Sequence, residues 1–215
     1  MLPPMSPRPL ARRERLALCD EALAQGEDAP TLCGDWTAKD LVAHCLVREY
    51  HPVAAAGLVL PPLASFADRE VTRLARTDFN VLVERLRRRG PTVFSVPLVD
   101  RVFNTLEYFV HHEDVRRAQT GWRPRELPAE DEDTLWSAIS TYGKGLVRPA
   151  GVPVVIRRSD TGATATLRRG SDPVVMTGRP SEIALRLFGR EQVTDVTLEG
   201  PPDRVEQFRS ASFGV

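Results

Sequence analysis

The sequence is poor in cysteine: Cys19, Cys33 and Cys45 are the three in 215 residues, an odd number with neither CxxC nor CxxxC spacing. That argues against a disulfide framework and against an all-thiolate zinc site, and it fits a reducing cytoplasm. Lysine is nearly as scarce, at Lys39 and Lys144 alone. The remaining basic charge is arginine, as expected of a GC-rich genome rather than of a binding site. Net charge is also missing: the formal balance is zero with a pI near 6.9. Nothing electrostatic therefore favours nucleic acid or an anionic membrane surface as partner. No apolar run reaches the roughly 18 residues of a membrane span, and the N-terminal stretch MLPPMSPRPLARRERLALCDEALA carries proline where a signal peptide needs an apolar segment. Repeats and low-complexity tracts are absent as well. What is present is ordinary for a folded globular chain of one or two domains, with 42% apolar and 27% charged residues. The expected setting is the cytoplasm, and the expected partner is a small molecule or another protein.

From Ser6-Pro7 a helical pattern runs to about Gly26, with Leu10, Leu16, Leu18, Ala22 and Leu23 near one face and Arg12, Arg13, Glu14 and Arg15 on the other. Thr37 and Asp40, three residues apart before the apolar run LVAHCLV, predict a capped second helix from about Ala38 to His51-Pro52. GLVLPPLASF reads as a loop. ADREVTRLARTDFNVLVERLRRRG reads as helical with a break around Asp78, punctuated at Gly90-Pro91. VDRVFNTLEYFVHHEDVRRAQTG is the next helix, with Val102, Leu106, Phe109 and Val110 as apolar positions and Gly121 as its stop. AEDEDTLWSAISTYGKGLV, acidic in its first turn, makes a fourth core helix. From Val152 the stretches VPVVIRR, TGATATLRRG, DPVVMTG and DVTLEG alternate as strands, interrupted by a helix PSEIALRLFGR with Ser181 at its cap. Residues 1–150 thus read as a helical bundle and residues 151–215 as a small α+β module.

The four histidines, His44, His51, His111 and His112, all lie on or at the end of the two inner helical segments. Glu107 and His111 stand at i and i+4, offset by about 40° and one turn apart on one helix face, so both can reach a single ion. A bundle completes such a site with a ligand from a facing helix, and His44, amid Leu41, Val42 and Leu46, is the candidate. Two imidazoles and a carboxylate suit Zn2+ and leave a position for water or substrate; the same set describes non-haem Fe2+, and Ni2+ is also open. On spacing alone, a hydrogen-bonded core role for these histidines is an equal alternative. His51, about 10 Å further along the axis, is a helix end before Pro52 or a residue at the pocket mouth rather than a fourth ligand. His112 points about 100° away from His111 and reads as packing or surface. Asp114, three residues after His111, either orients that ring or pairs with Arg116 or Arg117. Cys45, beside His44, reads as a small buried apolar residue.

The segments LCGDWTAKDLVAHCLVREYHP and LEYFVHHEDVRRA resemble, in order and context, the mycothiol-dependent maleylpyruvate isomerase group within the DinB-like metal-binding superfamily. Cys33, Gly34, Trp36, Thr37 and the run from Asp40 to His44 fill the first motif, and Glu107, His111, His112 and Asp114 the second. The resemblance implies His44, Glu107 and His111 as metal ligands, and a mainly α fold: a DinB-like four-helix bundle with a small C-terminal α+β domain. More closely, REYHP and GWRPRELPAEDEDTLW look like an actinobacterial subfamily of metal-binding proteins of unassigned activity.

Three functions follow. The resemblance implies a divalent-metal enzyme that uses mycothiol or a similar low-molecular-weight thiol as co-substrate, for S-transfer or cis-trans isomerisation; His51 is then a speculative proton-handling residue. A metal-dependent hydrolase is the second reading. The third is a non-catalytic metal- or ligand-binding module whose C-terminal part forms a homodimer or carries a hydrophobic ligand.

Overall fold

The computed structural model describes residues 9–50, 64–88 and 97–213. Ser6-Pro7, His51-Pro52, most of GLVLPPLASF and Gly90-Pro91 lie outside them. The chain divides into two compact units, residues 1–122 and 123–215. No helix among the described residues is long and apolar enough to cross a membrane.

The first unit is helical: α1 (Leu10–Gln25), α2 (Ala38–Tyr50), α3 (Ala64–Ala75), α4 (Phe79–Arg87) and α5 (Pro97–Arg117). α1 stops at Gly26, whose φ of 92° is a conformation that costs glycine nothing. α2 starts on a capping box: the Thr37 N–H and Oγ1 donate to Asp40 Oδ2 at 3.0 and 2.8 Å, and the Asp40 N–H donates to Thr37 Oγ1 at 3.3 Å. The break expected near Asp78 separates α3 from α4, and the Asp78 side chain accepts from the Val81 N–H as the cap of α4. α3 begins at Ala64, so the last three residues of the expected loop are helical.

Phe79, Leu82, Val83 and Leu86 give α4 a single apolar stripe against α1 and α2, whereas α2 is buried nearly all round through Ala38, Leu41, Val42, Ala43, Cys45, Leu46 and Val47. α1 departs from the expected pattern. Its buried face is Leu10, Glu14, Arg15, Leu18, Cys19 and Ala22, while Leu23 is exposed. The two charged residues go inside because partners wait there: His112 Nδ1 lies 2.7 Å from Glu14 Oε2, and Arg15 faces Glu49 at 3.0 Å. His112 is therefore an internal hydrogen-bond partner.

The second unit holds α6 (Ala129–Leu146), a 3-10 turn (Arg148–Ala150), and strands β1 (Val154–Arg158), β2 (Thr164–Arg168) and β3 (Val174–Gly178). α7 (Pro180–Leu187), β4 (Thr197–Glu199) and α8 (Pro202–Ser210) complete it. The sheet order is β2-β1-β3-β4, parallel between β1 and β3 and antiparallel elsewhere. α6, expected as the fourth core helix of a bundle running to residue 150, groups instead with the sheet, packing on β2 and α7. Gly143 permits that approach, since a Cβ there would lie 2.9 Å from Leu167 Cδ1. Ser181 is not the cap of α7; it sits one residue inside the helix, where its N–H and hydroxyl both donate to the buried Glu132 of α6 at 2.9 Å. α8 was not anticipated: it starts on Pro201-Pro202 and buries Phe208 alone.

Candidate metal centre

Two helices and one loop build the site. His44 projects from α2, six residues after the first residue of that capped helix. Glu107 and His111 project from α5, one turn apart, with Glu107 Oε2 and His111 Nε2 at 3.3 Å. One ligand atom from each of His44, Glu107 and His111 lies within 4.8 Å of the other two. The two imidazoles stand edge to face, centroids 5.2 Å apart at 76°. Spacing had proposed these three, and the fold brings them to one place. His51 lies outside the described residues.

The loop before α2 is tied to α5 at several points. The Leu32 N–H donates to the Asp114 carbonyl at 3.1 Å, and Gln119 Nε2 donates to the Pro30 carbonyl at 3.1 Å. Within the loop Thr31 Oγ1 accepts from the Cys33 N–H and donates to the Trp36 carbonyl. This anchoring delivers two side chains. Trp36, half-buried, packs on His44 with centroids 5.0 Å apart. The Cys33 thiol donates to Asp114 Oδ2 at 3.1 Å and lies 4.0 Å from His111 Nδ1.

Asp114 is wholly buried, and its Oδ2 lies 3.0 Å from His111 Nδ1. That places it beside His111, one of the two placements open to it from the sequence; Glu113 pairs with Arg116 and Arg117. Arg48 also stands beside Glu107, its Nε 3.6 Å from the same Oε2 that faces His111 and its Nη2 donating to Asn104 Oδ1 at 2.7 Å. Neither Cys33 nor Arg48 stood out in the sequence as part of the site. Both were visible only as motif residues, Cys33 in the first motif and Arg48 as the first residue of REYHP.

The electrostatics follow from these contacts. Burial, and then the positive charge of His111, lower the His44 pKa to about 3, so its ring is neutral. Burial would raise Glu107, but the hydrogen bond from His111 and the Arg48 charge outweigh it and hold the carboxyl well below its usual range. Burial would lower His111, yet hydrogen bonds with Asp114, Cys33 and Glu107 hold it well above. The site thus sets two carboxylates against one guanidinium and one imidazolium, with a neutral imidazole at its edge.

Do these residues fit a divalent cation? A second close group, Cys33, His111 and Asp114, shares His111 with the first. The two groups use opposite edges of the ring, since Nε2 faces Glu107 and Nδ1 faces Asp114. The first has the better donor set, two imidazoles and a carboxylate. It also contains an orphan: His44 Nδ1 is buried and has no hydrogen-bond partner among the described residues, an uncommon state for a buried polar atom.

The other thiols have different surroundings. Burial pushes Cys19 up to about 12 and Cys45 up to about 11, so both stay protonated and shielded in the folded protein. Cys33 is partly exposed, and none of the three is in a disulfide. A water-soluble aromatic disulfide reagent is therefore expected to titrate one thiol in native protein and all three in denaturant, each number falling by one in Cys33→Ser. More than one rapidly reacting thiol in native protein would contradict the assignment.

No family model matches the chain, and no curated protein matches it. Among solved structures, that of the mycothiol-dependent maleylpyruvate isomerase superposes with a TM-score of 0.58 at 18% identity, over 88% of this chain and 90% of that one. A histidine-to-alanine mutant of the mycothiol-dependent maleylpyruvate isomerase superposes with a TM-score of 0.59 at the same identity and coverage. The chain shares the DinB-like fold of these proteins, mainly helical with a small four-stranded sheet at the C-terminal end.

Proposed function

We propose that His44, Glu107 and His111 hold a divalent cation, Zn2+ in the first instance, and that the chain is a low-molecular-weight-thiol-dependent transferase or isomerase acting on a small electrophile. The observation that supports the metal most directly is that His44, Glu107 and His111 each bring a donor atom within 4.8 Å of the others, and that one of them, His44, has a buried ring nitrogen with no partner among the described residues. The thiol part is carried by the shared fold, since two solved structures that superpose on the chain bear the name mycothiol-dependent maleylpyruvate isomerase; mycothiol is the co-substrate they suggest.

When bound, the cation supplies positive charge that favours the thiolate form of a thiol, the reactive nucleophile. The chain's own residues do the rest. Glu107 contributes the negative charge, and Arg48 lies against the same oxygen of that carboxylate that faces His111. Asp114 sets the His111 ring by engaging Nδ1, which leaves Nε2 toward Glu107. Trp36 packs against His44 at a tilt. Three protein donors leave room for a thiol in the coordination sphere, as in catalytic rather than structural zinc sites.

Protein purified without a polyhistidine tag is expected to carry about one equivalent of divalent metal, and His44→Ala much less. Cobalt-substituted protein titrated with millimolar mycothiol should change its visible spectrum as the thiol joins the site. A spectrum indifferent to thiol, with metal still present, would remove the thiol chemistry and leave a hydrolase or a non-catalytic metal module. Absence of stoichiometric metal would remove the proposal as a whole.

A further inference from the structure

We infer that Cys33 is a positioning residue of the cation site: its thiol shares the Asp114 carboxylate with His111 and so fixes the ring whose other nitrogen faces Glu107 and His44. The inference rests on the reading that His44, Glu107 and His111 hold a divalent cation.

The contacts define the role by exclusion as well as by distance. A nucleophilic cysteine needs a base aligned on its sulfur. Here the nearest imidazole nitrogen, His111 Nδ1, reaches Sγ only at 4.0 Å, a weak contact, and makes its closer one, 3.0 Å, with Asp114 Oδ2. The thiol proton is directed to that same oxygen, 3.1 Å away. Nor is the sulfur placed as a fourth ligand. It lies on the Nδ1 edge of His111, whereas Glu107 meets the Nε2 edge.

What remains is orientation. Asp114 is fully buried, and a buried carboxylate is stable only when donors saturate it. The ring N–H and the S–H converge on one oxygen, and the thiol's own position is set by the loop contacts of Leu32 and Thr31. Without the S–H one donor to that oxygen is lost, and the ring it holds is less closely set. Outer hydrogen bonds of this kind are typically worth about 10- to 100-fold in metal affinity.

The test is Co2+ titration of full-length wild type, Cys33→Ala and Cys33→Ser, followed by visible and near-ultraviolet absorption. Cys33→Ala should bind Co2+ about tenfold more weakly. Cys33→Ser, whose hydroxyl also donates, should recover most of the loss. Wild type should show ligand-field bands without a thiolate-to-cobalt charge-transfer band. Equal affinity of wild type and Cys33→Ala overturns the inference and leaves the metal site standing. A charge-transfer band in wild type that both variants lose overturns it too, because the sulfur is then a ligand; this readout on wild type holds even if Cys33→Ala fails to fold. Wild type that takes up no Co2+ removes the underlying reading and this inference with it.

Discussion

Glu107→Ala is expected to lose cation binding and, separately, to weaken the metal-free fold. The first effect follows from the donor set: removing the carboxylate leaves two imidazoles and no negative charge to offset the ion. If outer contacts alone are worth about 10- to 100-fold, loss of a direct ligand should exceed about 100-fold. The second effect comes from Arg48. Its side chain is 6% exposed and Glu107's is 14% exposed, so the guanidinium loses a carboxylate in a poorly solvated place. Breaking a buried ion pair from one side costs about 3 kcal/mol or more, and the 3.6 Å separation favours the low end. Urea denaturation of metal-free protein should therefore show a lower midpoint with an unchanged slope. Glu107→Gln separates the two effects, since its amide oxygen still faces Arg48 while its charge is gone. It should keep most of the stability and little of the metal. A Glu107→Ala protein with full metal content would end Glu107's role as a ligand, and one with an unshifted midpoint would show that Arg48 is satisfied elsewhere.

The largest effect on stability is expected at Glu49, which chemistry at the site does not involve. Glu49 is 4% exposed; it accepts from the Tyr108 hydroxyl and faces the Arg15 guanidinium at 3.0 Å. Arg15 in turn donates through Nε to the Leu86 carbonyl at 2.6 Å, and Arg15 and Arg48 lie over the Tyr108 ring at 5.7 and 5.6 Å. The Arg15–Glu49 contact is close but misaligned for a hydrogen bond, so its contribution is coulombic. Glu49→Ala leaves a buried guanidinium without its counter-charge and a buried hydroxyl without its acceptor. Together these should cost about 3 to 5 kcal/mol, a large part of the roughly 5 to 15 kcal/mol that holds a domain folded. The paired replacement Arg15→Met with Glu49→Leu removes both charges at once and should recover most of the loss. Chemical denaturation of the three proteins measures this directly. A Glu49→Ala variant within about 1 kcal/mol of wild type would mean the charges are solvated in the native state.

These two cases also mark where sequence reasoning succeeds and where it stops. The Thr37–Asp40 box, the Asp78 break and the alternation in VVIRR and VVMTG are local, so they are legible from neighbours alone. The i, i+4 relation of Glu107 and His111 is legible for the same reason. Glu14 and Arg15 were assigned to the solvent face because charge was counted without partners, and those partners, His112 and Glu49, lie far along the chain. Cys33 and Asp114, 81 residues apart, are invisible to spacing. Ser181 looked like a cap because cap residues are recognised by type, and only the fold shows Glu132 beside it. The division after Trp122 rather than near residue 150 is likewise a matter of which surfaces meet, and the apolar face of α6 is the same whichever unit it joins.

Along α5 the polar side chains face different neighbours in turn: Asn104 and Glu107 meet Arg48, Tyr108 meets Glu49, His112 meets Glu14, and Asp114 meets Cys33. Each contact acts as a registration pin on a different side of the same rod. A helix so pinned can neither slide nor roll by one residue, a turn of about 100°, without dissolving several buried polar contacts together. Point substitutions along it remove one contact each, whereas an insertion or deletion within residues 104–114 would turn the contacts on one side of it by about 100° against those on the other. Such a change would break several of these contacts at once, which a change in loop length outside the helix would not.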